Sequence, residues 1–576
     1  MNTLFSRSHR SLWQFFFLLV VGAIIAGCSS DPTSTAGVGT GGTGSVAKVD
    51  VTDTPGSNFA HVYVTVAGVA FHADAHAPFL NGSSGIANGW QLFSLPTPKT
   101  IDLVQLSNGV TYSDINGGSA LFDGLNLPAG TYTQIRIFLV STEDAYVGTE
   151  PGLIYNNDVQ LNGDASHYPL RVPSSIEGIK IVPEYPVTKI NGNDVNVTLD
   201  FKLGDDVVEV SPNGSTEFIL KPRLGYFDMG RVGAVKGKVN FSNLSTSAIE
   251  VKAEQIGSDP NYRVVRRTAA INKTTGKFNL YPLPVFGNAT TAVYDILLRG
   301  NNIQTAIIKG VKIHSGTTKT TATDLGTITM QSGNEFSAQI SSAIHPTGAW
   351  LNFYQTIAGD AVPYEIRYRH LNPYTGRFGA AIGLSTGPIQ VATFSPGSSP
   401  VFSTDASNQG TFSMVADAAD LYTRGAPITN ISGTSGQNVL LTMLSAHYPQ
   451  LSSGASPGTI NCVFDMALLG TGRGPGMGMG NTSTGNPPKG QLFITSGGVI
   501  IDSIGSVNND PSVGAALHSG GGISHPVAVT NLPSNVSDAV YGVYALGWGN
   551  GILIGGNSLG IDLSAVGSTT VTIKMK

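Results

Sequence analysis

The chain has little charge, almost no cysteine and no excess of basic residues. Only 12% of its 576 residues are charged, and the formal net charge is −5. This balance argues against a nucleic-acid partner, because phosphate binding needs a basic face. The two cysteines form no Cys-x-x-Cys-His motif, so covalently attached c-type haem is excluded. The sequence therefore points away from nucleic-acid binding and from a multihaem cytochrome.

Glycine and apolar residues are what the chain has in quantity. Its 72 glycines are well above ordinary usage of about 7%, and 41% of its residues are hydrophobic. Because disorder needs low hydrophobicity and high net charge, wholesale disorder is not expected. At about 100 to 200 residues per domain the chain holds several cores. This profile fits a turn-rich, all-β protein exported from the cell.

The N-terminus carries an export signal. Two arginines precede an apolar run from Leu12 to Ile25, which is short for a membrane span. The run ends in Ile25-Ala26-Gly27-Cys28, which resembles the bacterial lipobox. That resemblance implies that residues 1–27 are a lipoprotein signal peptide and that Cys28 is lipidated. The alternative is an uncleaved signal anchor followed by an incidental cysteine.

The residues after Cys28 indicate a location. Ser29 follows the cysteine, and the absence of Asp there resembles lipoproteins sorted to the outer membrane. Residues 28–43 are the lipidated cysteine and a flexible tether rich in Gly, Ser and Thr. We expect a cell outer membrane protein whose membrane contact is the lipid anchor. The sequence leaves open whether its domains face the periplasm or the cell exterior.

The second cysteine, Cys462, lies in an apolar stretch that resembles a strand. With Cys28 lipidated, no internal disulfide can form, so burial alone must hold the domains together. We expect a buried, inert thiol at Cys462, the alternative being a reactive one.

Alternating apolar residues predict half-buried strands. Val62, Val64 and Val66 form one such series, and similar alternation occurs in residues 134–139 and 195–201. Turn signals such as Asn-Gly separate these segments, and clear helical stripes are lacking beyond the signal peptide. The predicted fold class is all-β, with several β-sandwich (Ig-like or prealbumin-like) domains in series and at least 35% strand.

The first domain has a predicted core. Its members lie on alternating segments and are expected to be mutually buried between two sheets: Trp90, Tyr132, Ile135, Ile137, Val197, Leu199 and Phe201.

This domain also resembles a known family. The segments Leu127-Pro-Ala-Gly-Thr-Tyr-Thr-Gln-Ile-Arg136 and Leu220-Lys-Pro-Arg-Leu224 are similar to the domain-of-unknown-function family numbered 4382. That family is found mainly in exported bacterial and archaeal lipoproteins and has no established activity. The resemblance implies a fold and a location for residues 44–228 but no catalytic residues.

The rest of the chain reads as diverged sandwich repeats. The segments Gly233 to Val239 and Gly276-Lys-Phe-Asn-Leu280 resemble the carboxypeptidase-regulatory, prealbumin-like sandwich, and related spacing recurs twice further on. For the last two repeats, chance agreement among generic β patterns is the open alternative. The predicted units are residues 233–330, a repeat at 331–445, and a β-rich C-terminal domain at 446–576. The last contains a Gly/Met-rich loop from Gly470 to Gly490.

His72, Asp74 and His76, with His61 nearby, are the most metal-like group. Alternate residues of a strand share a face, and His and Asp side chains suit a first-row divalent ion. The competing interpretation is a set of solvated loop side chains beside a hairpin. The prediction is a metal site at these three residues, with no other cofactor.

Three further patterns favour structural explanations. Gly383-Leu-Ser-Thr-Gly387 spells the serine-hydrolase elbow, but the residues after it read as strand rather than helix. Asp205, Asp206 and Glu209, near Asp200, are expected to be solvated carboxylates at a strand end rather than a Ca²⁺ site. The aromatic and arginine residues between Phe353 and Phe378 are expected to point into a sandwich, the alternative being a sugar or protein contact surface.

Two functions remain at this point. The favoured one is a non-enzymatic surface lipoprotein, a structural, adhesion or ligand-binding module whose partner is an extracellular protein or polysaccharide. The alternative is a metal-binding or enzyme-accessory surface protein that uses His72, Asp74 and His76. No catalytic residues are predicted.

Overall fold

The structure is a computed structural model of the 576-residue chain. The residues that it describes are 47–54, 59–75, 77, 89–173, 175, 177–181, 183, 186–189, 193–210, 216–221, 224–257, 260–287, 289–342, 350–370, 382–417, 428–431, 437–441, 456–465, 489–496, 499–505, 512–513, 516, 526–535, 539–549 and 552–575. The predicted signal peptide, Cys28 and the predicted tether therefore lie outside the described residues, as do His76 and residues 466–488 of the Gly/Met-rich region.

The protein is all-β, as predicted, with 59% strand and 5% helix. Its described residues in the first unit form fourteen strands: β1 Ala47–Thr54, β2 Phe59–His72, β3 Gln91–Asp102, β4 Phe122–Leu125, β5 Gly130–Tyr132, β6 Gln134–Leu139, β7 Asp158–Leu161, β8 Tyr168–Arg171, β9 Ile179–Ile181, β10 Val187–Lys189, β11 Val195–Lys202, β12 Val207–Val210, β13 Glu217–Leu220 and β14 Gly225–Asp228. Its helices are α1 Tyr112–Ile115 and α2 Leu203–Asp206, and 3-10 turns span Leu103–Leu106 and Met229–Arg231.

Two main sheets enclose the core of the first unit. One has the order β14-β11-β1-β4, with β1 parallel to β11. The other has the order β12-β13-β8-β7-β2-β6-β9, and β3 also pairs with β2. The alternating valines of β2 and the Ile135, Ile137 and Leu139 side chains of β6 all lie in this core. The period-2 pattern therefore identified these strands and their inward faces correctly.

Six of the seven predicted core residues belong to this core, and Trp90 does not. Trp90 is buried in a separate small cluster with Ala70 and Ala77. Phe138, which alternates with the inward residues of β6, packs against that cluster. Trp90 thus covers the outer face of the sheet, and its predicted place between the two sheets is wrong.

Strand β11 also differs from its predicted half-buried state. Besides the inward residues Val197, Leu199 and Phe201, the alternate residues Thr198 and Asp200 are buried. The outer face of β11 is covered in part by a side chain of the second unit, as shown below, which a pattern within one strand cannot reveal.

Three further units follow. The second contains β15 Val232–Asn240, β16 Glu250–Ile256, β17 Arg263–Ala270, β18 Lys277–Pro284, β19 Thr291–Arg299, β20 Ala306–His314 and β21 Thr323–Thr329. The third contains β22 Glu335–Ser342, β23 Trp350–Gln355, β24 Tyr364–His370, β25 Ile382–Ser385, β26 Ile389–Thr393, β27 Ser403–Asp405, β28 Phe412–Asp417, β29 Ile428–Ile431 and β30 Gln437–Leu441. The fourth contains β31 Ser456–Asp465, β32 Lys489–Ser496, β33 Val499–Gly505, β34 Val527–Ser534, β35 Val540–Gly549, β36 Ile552–Asp562 and β37 Ser568–Lys574.

These three units share one strand order. The smaller sheets are β18-β15-β21, β25-β22-β30 and β34-β31-β37, and in each the first and last strands of the unit pair in parallel. The larger sheets contain β17-β16-β19-β20, β24-β23-β28-β29 and β33-β32-β35-β36. Each unit has its own hydrophobic core. The boundaries predicted from the sequence stay a prediction.

The third unit departs from this order by an inserted hairpin. Strands β26 and β27 leave their own unit, and β26 pairs in parallel with β20 of the second unit. The sheet edge formed by β20 is thereby covered, which removes an exposed edge that could pair with another chain. In the other direction, Leu297 and Ile307 of the second unit belong to the core of the third.

A buried tyrosine recurs in two of these units. The Tyr294 hydroxyl donates to the Pro284 carbonyl at 2.6 Å, and the Tyr541 hydroxyl donates to the Pro533 carbonyl at 2.7 Å. Both rings are buried within their unit's core. Each bond ties the end of one strand to the interior of the sandwich.

We expect Tyr294→Phe and Tyr541→Phe each to lower the free energy of unfolding by about 1 to 2 kcal/mol, because a buried carbonyl loses its donor. Urea unfolding of the full chain measures the effect. Tyr112→Phe is the control, since in the described part of the chain no hydrogen bond to its hydroxyl is found. An unchanged unfolding curve for Tyr294→Phe would contradict the assigned role.

Within the described residues, no helix is both long enough and apolar enough to cross a membrane.

Candidate functional site

Two of the predicted metal residues, His72 and Asp74, lie where β2 ends. The backbone N–H of Asp74 is 2.9 Å from Nδ1 of His72, and the backbone oxygen of Asp74 is 3.2 Å from the same atom. The His72 ring also contacts Trp90, with 4.9 Å between ring centroids. Nδ1 is therefore engaged by the Asp74 backbone, and any metal would have to use Nε2. Because His76 lies outside the described residues, a site at His72, Asp74 and His76 stays a prediction.

His61 does not accompany this group. His61 and His72 lie near opposite ends of β2, and eleven residues of strand separate them by roughly 35 Å. The proximity suggested by the sequence is thus proximity along an extended strand. Within the described residues, no group of three or more His, Cys, Asp or Glu side chains is arranged to hold a metal ion.

The hydrolase-like pentapeptide has the wrong surroundings for an elbow. Ser385 ends β25, and β26 follows within four residues. A nucleophile elbow needs a sharp turn from a strand into a helix, whereas this turn joins two strands. The strand predicted after Gly387 is confirmed.

The acidic group near the end of β11 is only partly solvated. Glu209 is exposed as predicted, but Asp200 and Asp206 are buried. Asp206, the last residue of α2, accepts a hydrogen bond at 3.2 Å from the backbone N–H of Lys202, the residue before the helix, so its buried carboxylate has a donor. For Asp200 and Asp206, the predicted solvated state is wrong; the Asp205 side chain lies outside the described residues.

Of two predictions of burial, the first is confirmed in part and the second fully. Phe353 and Tyr364 belong to the core of the third unit, as expected. Tyr354 is buried but lies outside that core, against Tyr262 of the second unit with 5.1 Å between ring centroids, and Tyr368 is only half-buried. Tyr374, Arg377 and Phe378 lie outside the described residues.

Cys462 is a free, fully buried cysteine on β31, and burial raises the pKa of its thiol to about 12. Such a thiol is protonated and unreactive at neutral pH.

The first and second units meet at a buried arginine. Arg267 on β17 is 1% exposed, and its Nη1 lies 2.5 Å from Oδ1 of Asp200. Its Nη2 donates to the backbone oxygen of Asp53 at 2.9 Å, and its guanidinium lies 5.7 Å from the ring centre of Phe227. The side chain of one unit thus neutralises a carboxylate on the outer face of another.

Asp53 adds a second buried carboxyl to this junction. Its Oδ1 accepts from the backbone N–H of Leu203 at 3.0 Å, and no hydrogen-bond partner of its Oδ2 is found among the described residues. Burial, more than any neighbouring charge, raises the pKa of Asp53 well above its ordinary value. The carboxyl is therefore held towards its neutral form, which avoids a second buried negative charge beside Asp200.

A polar cleft of about 300 Å³ lies beside the same junction. Its lining includes Asp50 and Thr198 from the first unit and Tyr281 from the second. Both oxygens of Asp50 accept from the backbone N–H of Ser113, and an ion pair between Asp114 and Lys319 joins the two units. Polar contacts thus extend the junction beyond Arg267.

The second and third units share an ionic network. Nη2 of Arg263 lies 3.0 Å from Asp295 and 3.3 Å from Asp360, and Lys309 pairs with Asp360 at 2.9 Å. The Tyr364 hydroxyl lies 2.8 Å from Oδ2 of Asp360 and 3.0 Å from Oδ2 of Asp295, so its single proton is shared between the two carboxylates. The Arg263 guanidinium lies 3.7 Å from the centre of the Tyr364 ring. Every charge in this network has an opposite partner.

A second group of charged residues lies at the boundary between the second and third units. Nζ of Lys252 lies 3.1 Å from Oε1 of Glu365, and the backbone N–H of Glu365 donates to Oε2 of Glu254 at 3.1 Å. Glu254 is fully buried, and in the part of the chain that the structure describes its Oε1 has no hydrogen-bond partner. Burial, opposed by Lys252 and reinforced by Glu365, raises the pKa of Glu254 to about 8.

The fourth unit contacts the first. The Tyr544 hydroxyl donates to Oε1 of Glu143 at 2.5 Å, and Arg171 lies 3.0 Å from the same oxygen and 3.4 Å from Oε2 of Glu217. Burial raises the pKa of Glu143, but Arg171 and the hydrogen bonds outweigh it and leave that pKa below the ordinary value. Units that are far apart along the chain are thus joined by a charged, buried contact.

Sequence reasoning did not identify these junction residues. A weak signal existed in Arg263-Val-Val-Arg-Arg267, where three arginines occur within five residues of an apolar strand. Arginine is rarely buried unless it is paired, so such a strand indicates a contact with carboxylates elsewhere. The partners themselves cannot be read from the sequence, because they lie far away in the chain.

Structural comparison gives only distant likenesses. The Bacillus anthracis TIE protein is similar at 8% identity and a TM-score of 0.15, over 96% of this chain and 78% of that chain. A leucine-rich repeat protein from Bacteroides thetaiotaomicron matches at 13% identity and a TM-score of 0.15, over 37% of this chain and 26% of its own. The shaft pilin spaA from Lactobacillus rhamnosus GG matches at 9% identity and a TM-score of 0.12, over 37% of this chain and 97% of its own. At these scores the likenesses define neither fold nor function.

Comparison with curated proteins found no match. The comparison with protein families did, and it covers less than half of the chain. The family resemblance predicted for the first domain is confirmed, since residues 43–222 match the family described as Domain of unknown function (DUF4382).

Proposed function

We propose that this protein is a non-enzymatic lipoprotein of the outer membrane, anchored through Cys28 and presenting a rigid series of β-sandwiches. The observation that carries this proposal is the set of buried charged contacts between units, above all Arg267 with Asp200. Flexible domains on linkers do not need such contacts, whereas an assembly that must hold its shape does.

The remaining parts of the proposal come from the sequence. The lipobox-like Ile25-Ala26-Gly27-Cys28 supports the anchor, and the serine after it supports sorting to the outer membrane. The shared strand order of the second, third and fourth units supports their assignment as prealbumin-like sandwiches of the carboxypeptidase-regulatory kind. In this arrangement the partner is an extracellular protein or polysaccharide, held at a fixed distance from the lipid surface.

Replacing Cys28 with alanine is expected to leave the precursor unprocessed and to remove the mature protein from the outer-membrane fraction. The reason is that the sulfur is the only proposed lipid attachment and a lipid chain supplies most of the membrane affinity. Membrane fractionation with immunoblotting measures the result, and Cys462→Ala is the matched control because that thiol is buried. A chain beginning at Asp31 that still partitions with membranes would contradict the proposal.

Protease treatment of intact cells decides which way the domains face. Digestion of the four units without lysis indicates surface exposure, and protection until the outer membrane is opened indicates the periplasm. The buried junctions predict in addition that limited digestion releases large fragments containing more than one unit.

The alternative function is that of a metal-binding or enzyme-accessory surface protein that uses His72, Asp74 and His76. Metal analysis of the purified protein tests it, since bound metal that is lost in His72→Ala would favour it.

A further inference from the structure

The polar cleft between the first and second units is lined by side chains from both. The first unit contributes residues of β1, β11 and α1, and the second contributes residues of β18 and of the segment between β20 and β21. Its volume of about 300 Å³ is at the lower end of the range for small-ligand sites, about 300 to 1,000 Å³, and such sites occur preferentially where domains meet. The cleft therefore has room for a small polar ligand that touches both units.

The floor of the cleft is the outer face of the sheet that contains β1 and β11. Asp50 and Thr198 are directly opposite each other on these two parallel strands, and Asn196 precedes Thr198 by two residues, so all three side chains share that face. Both strands lie in the middle of the sheet order, where neighbouring strands engage their backbone groups. Recognition on this floor must therefore come from side chains, unlike the addition of a peptide strand to a sheet edge.

The two carboxylates of the cleft are already compensated. Asp50 is buried, and both of its oxygens accept from the backbone N–H of Ser113. Asp114 pairs with Lys319 at 3.2 Å. A bound cation would have to compete with the ammonium group of Lys319, and an anion would be repelled by both carboxylates. The cleft therefore favours a neutral ligand.

Three polar side chains of the cleft can hold a ligand through hydrogen bonds. Within the residues that the structure describes, no hydrogen bond is found to the side chains of Asn196 and Thr198 or to the hydroxyl of Tyr281. The amide of Asn196 both donates and accepts, as do the two hydroxyl groups. Burial and the nearby Asp114 carboxylate raise the pKa of Tyr281, so its hydroxyl is protonated at neutral pH and can donate. A ligand with several hydroxyl groups matches this set, because each hydroxyl also donates and accepts.

The cleft also offers apolar surface. The half-buried ring of Tyr281 and the side chain of Met229 both line it. A sugar ring has hydroxyl groups around its rim and apolar C–H groups on its faces. It can therefore use the polar floor and the aromatic wall at the same time, which is the usual combination in small-molecule sites.

We infer that this cleft binds one sugar residue of a neutral polysaccharide, with Asn196 and Thr198 on the floor and Tyr281 on the wall contacting it. The inference rests on the proposed function, because it gives the polysaccharide partner of that proposal a site at the junction of two units. A ligand held by both units stabilises their junction, since a molecule that binds only the assembled form shifts the equilibrium towards it.

Isothermal titration of the full-length, detergent-solubilised protein with neutral hexasaccharides of glucose, galactose, mannose and xylose tests this inference. We expect at least one of them to bind, and its affinity to fall about fivefold to tenfold in Asn196→Ala and in Thr198→Val, because each removes a hydrogen-bonding group. Asn240→Ala is the matched control, since Asn240 is an exposed asparagine on β15 that does not line the cleft. It should bind as the unaltered protein does.

Tyr281→Phe guards against an effect of the β11 variants on folding, because it removes only a hydroxyl and lies on the second unit. Circular dichroism checks that each variant keeps its strand signal, and weaker binding in Tyr281→Phe is expected even if a β11 variant fails to fold. If no hexasaccharide binds, or if the folded cleft variants bind as tightly as Asn240→Ala, the inference is wrong. Such a failure is distinguishable from a failure of the proposed function, because fractionation of Cys28→Ala tests the anchor on its own.

Discussion

Replacing Arg267 with alanine is expected to lower the free energy of unfolding by about 3 to 5 kcal/mol, the range for breaking a buried ion pair by removing one partner. The Arg267 side chain is 1% exposed and its partner Asp200 is 2% exposed. Removing the guanidinium leaves the Asp200 carboxylate buried and without its cation. The backbone oxygen of Asp53 loses its donor as well.

The consequence should be confined to the junction between the first and second units. Neither hydrophobic core contains Arg267, so both sandwiches keep their apolar packing. Separation of the units would let water reach Asp200 and relieve the penalty. We therefore expect earlier proteolysis between the two units as well as a lower unfolding midpoint.

Urea unfolding of the full chain, with hydrogen exchange of β1, β11 and β17, measures this effect. Arg266→Ala is the matched control, because Arg266 neighbours Arg267 on the same strand but is only partly buried. The double variant Arg267→Met with Asp200→Asn should recover much of the loss, since it removes the charge rather than isolating it. If Arg267→Ala and Arg266→Ala are equally stable, the junction does not depend on the ion pair.

The strands themselves could be predicted because each has its own alternation of apolar and polar residues. Alternation placed the inward faces of β2 and β6 correctly, since a side chain's direction along a strand repeats every two residues. A strand pattern contains no information about what covers its other face. That is why Asp200 was expected to be solvated and is in fact buried by Arg267.

Contacts between units could not be predicted either, because a strand pattern does not show which other strand it pairs with. The hairpin of β26 and β27 reads as ordinary strand, and only the fold shows that it completes the sheet of the preceding unit. Trp90 was placed in the main core with the residues of the alternating segments, but this residue, which precedes β3, packs on the opposite face of the sheet with Ala70 and Ala77.

The buried carboxyl of Glu254 makes the second strong prediction, which concerns pH. Burial raises its pKa from 4.5 to about 8 at the boundary between the second and third units. The fold therefore favours the neutral acid. Lys252, Arg263, Asp295 and Glu365 are the charged groups around it, and Lys252 is already paired with Glu365.

The sign of the effect follows from the raised pKa. Below pH 4.5 the carboxyl is protonated in both the folded and the unfolded chain, and its contribution to stability is fully present. As pH rises from 4.5 towards 8, the unfolded chain releases the proton while the folded chain retains it. Stability should then fall by up to about 1.4 kcal/mol per pH unit across this window.

Glu254→Gln is expected to abolish this dependence, because the amide is neutral at every pH and its oxygen can still accept from the backbone N–H of Glu365. Unfolding curves at pH 5, 6, 7 and 8 for the unaltered chain and for Glu254→Gln measure the difference, which should grow with pH in favour of the variant. Glu150→Gln, at an exposed glutamate, is the control and should follow the unaltered chain. A difference that stays constant between pH 5 and pH 8 would mean that Glu254 ionises normally in the folded protein, and that the junction tolerates its charge.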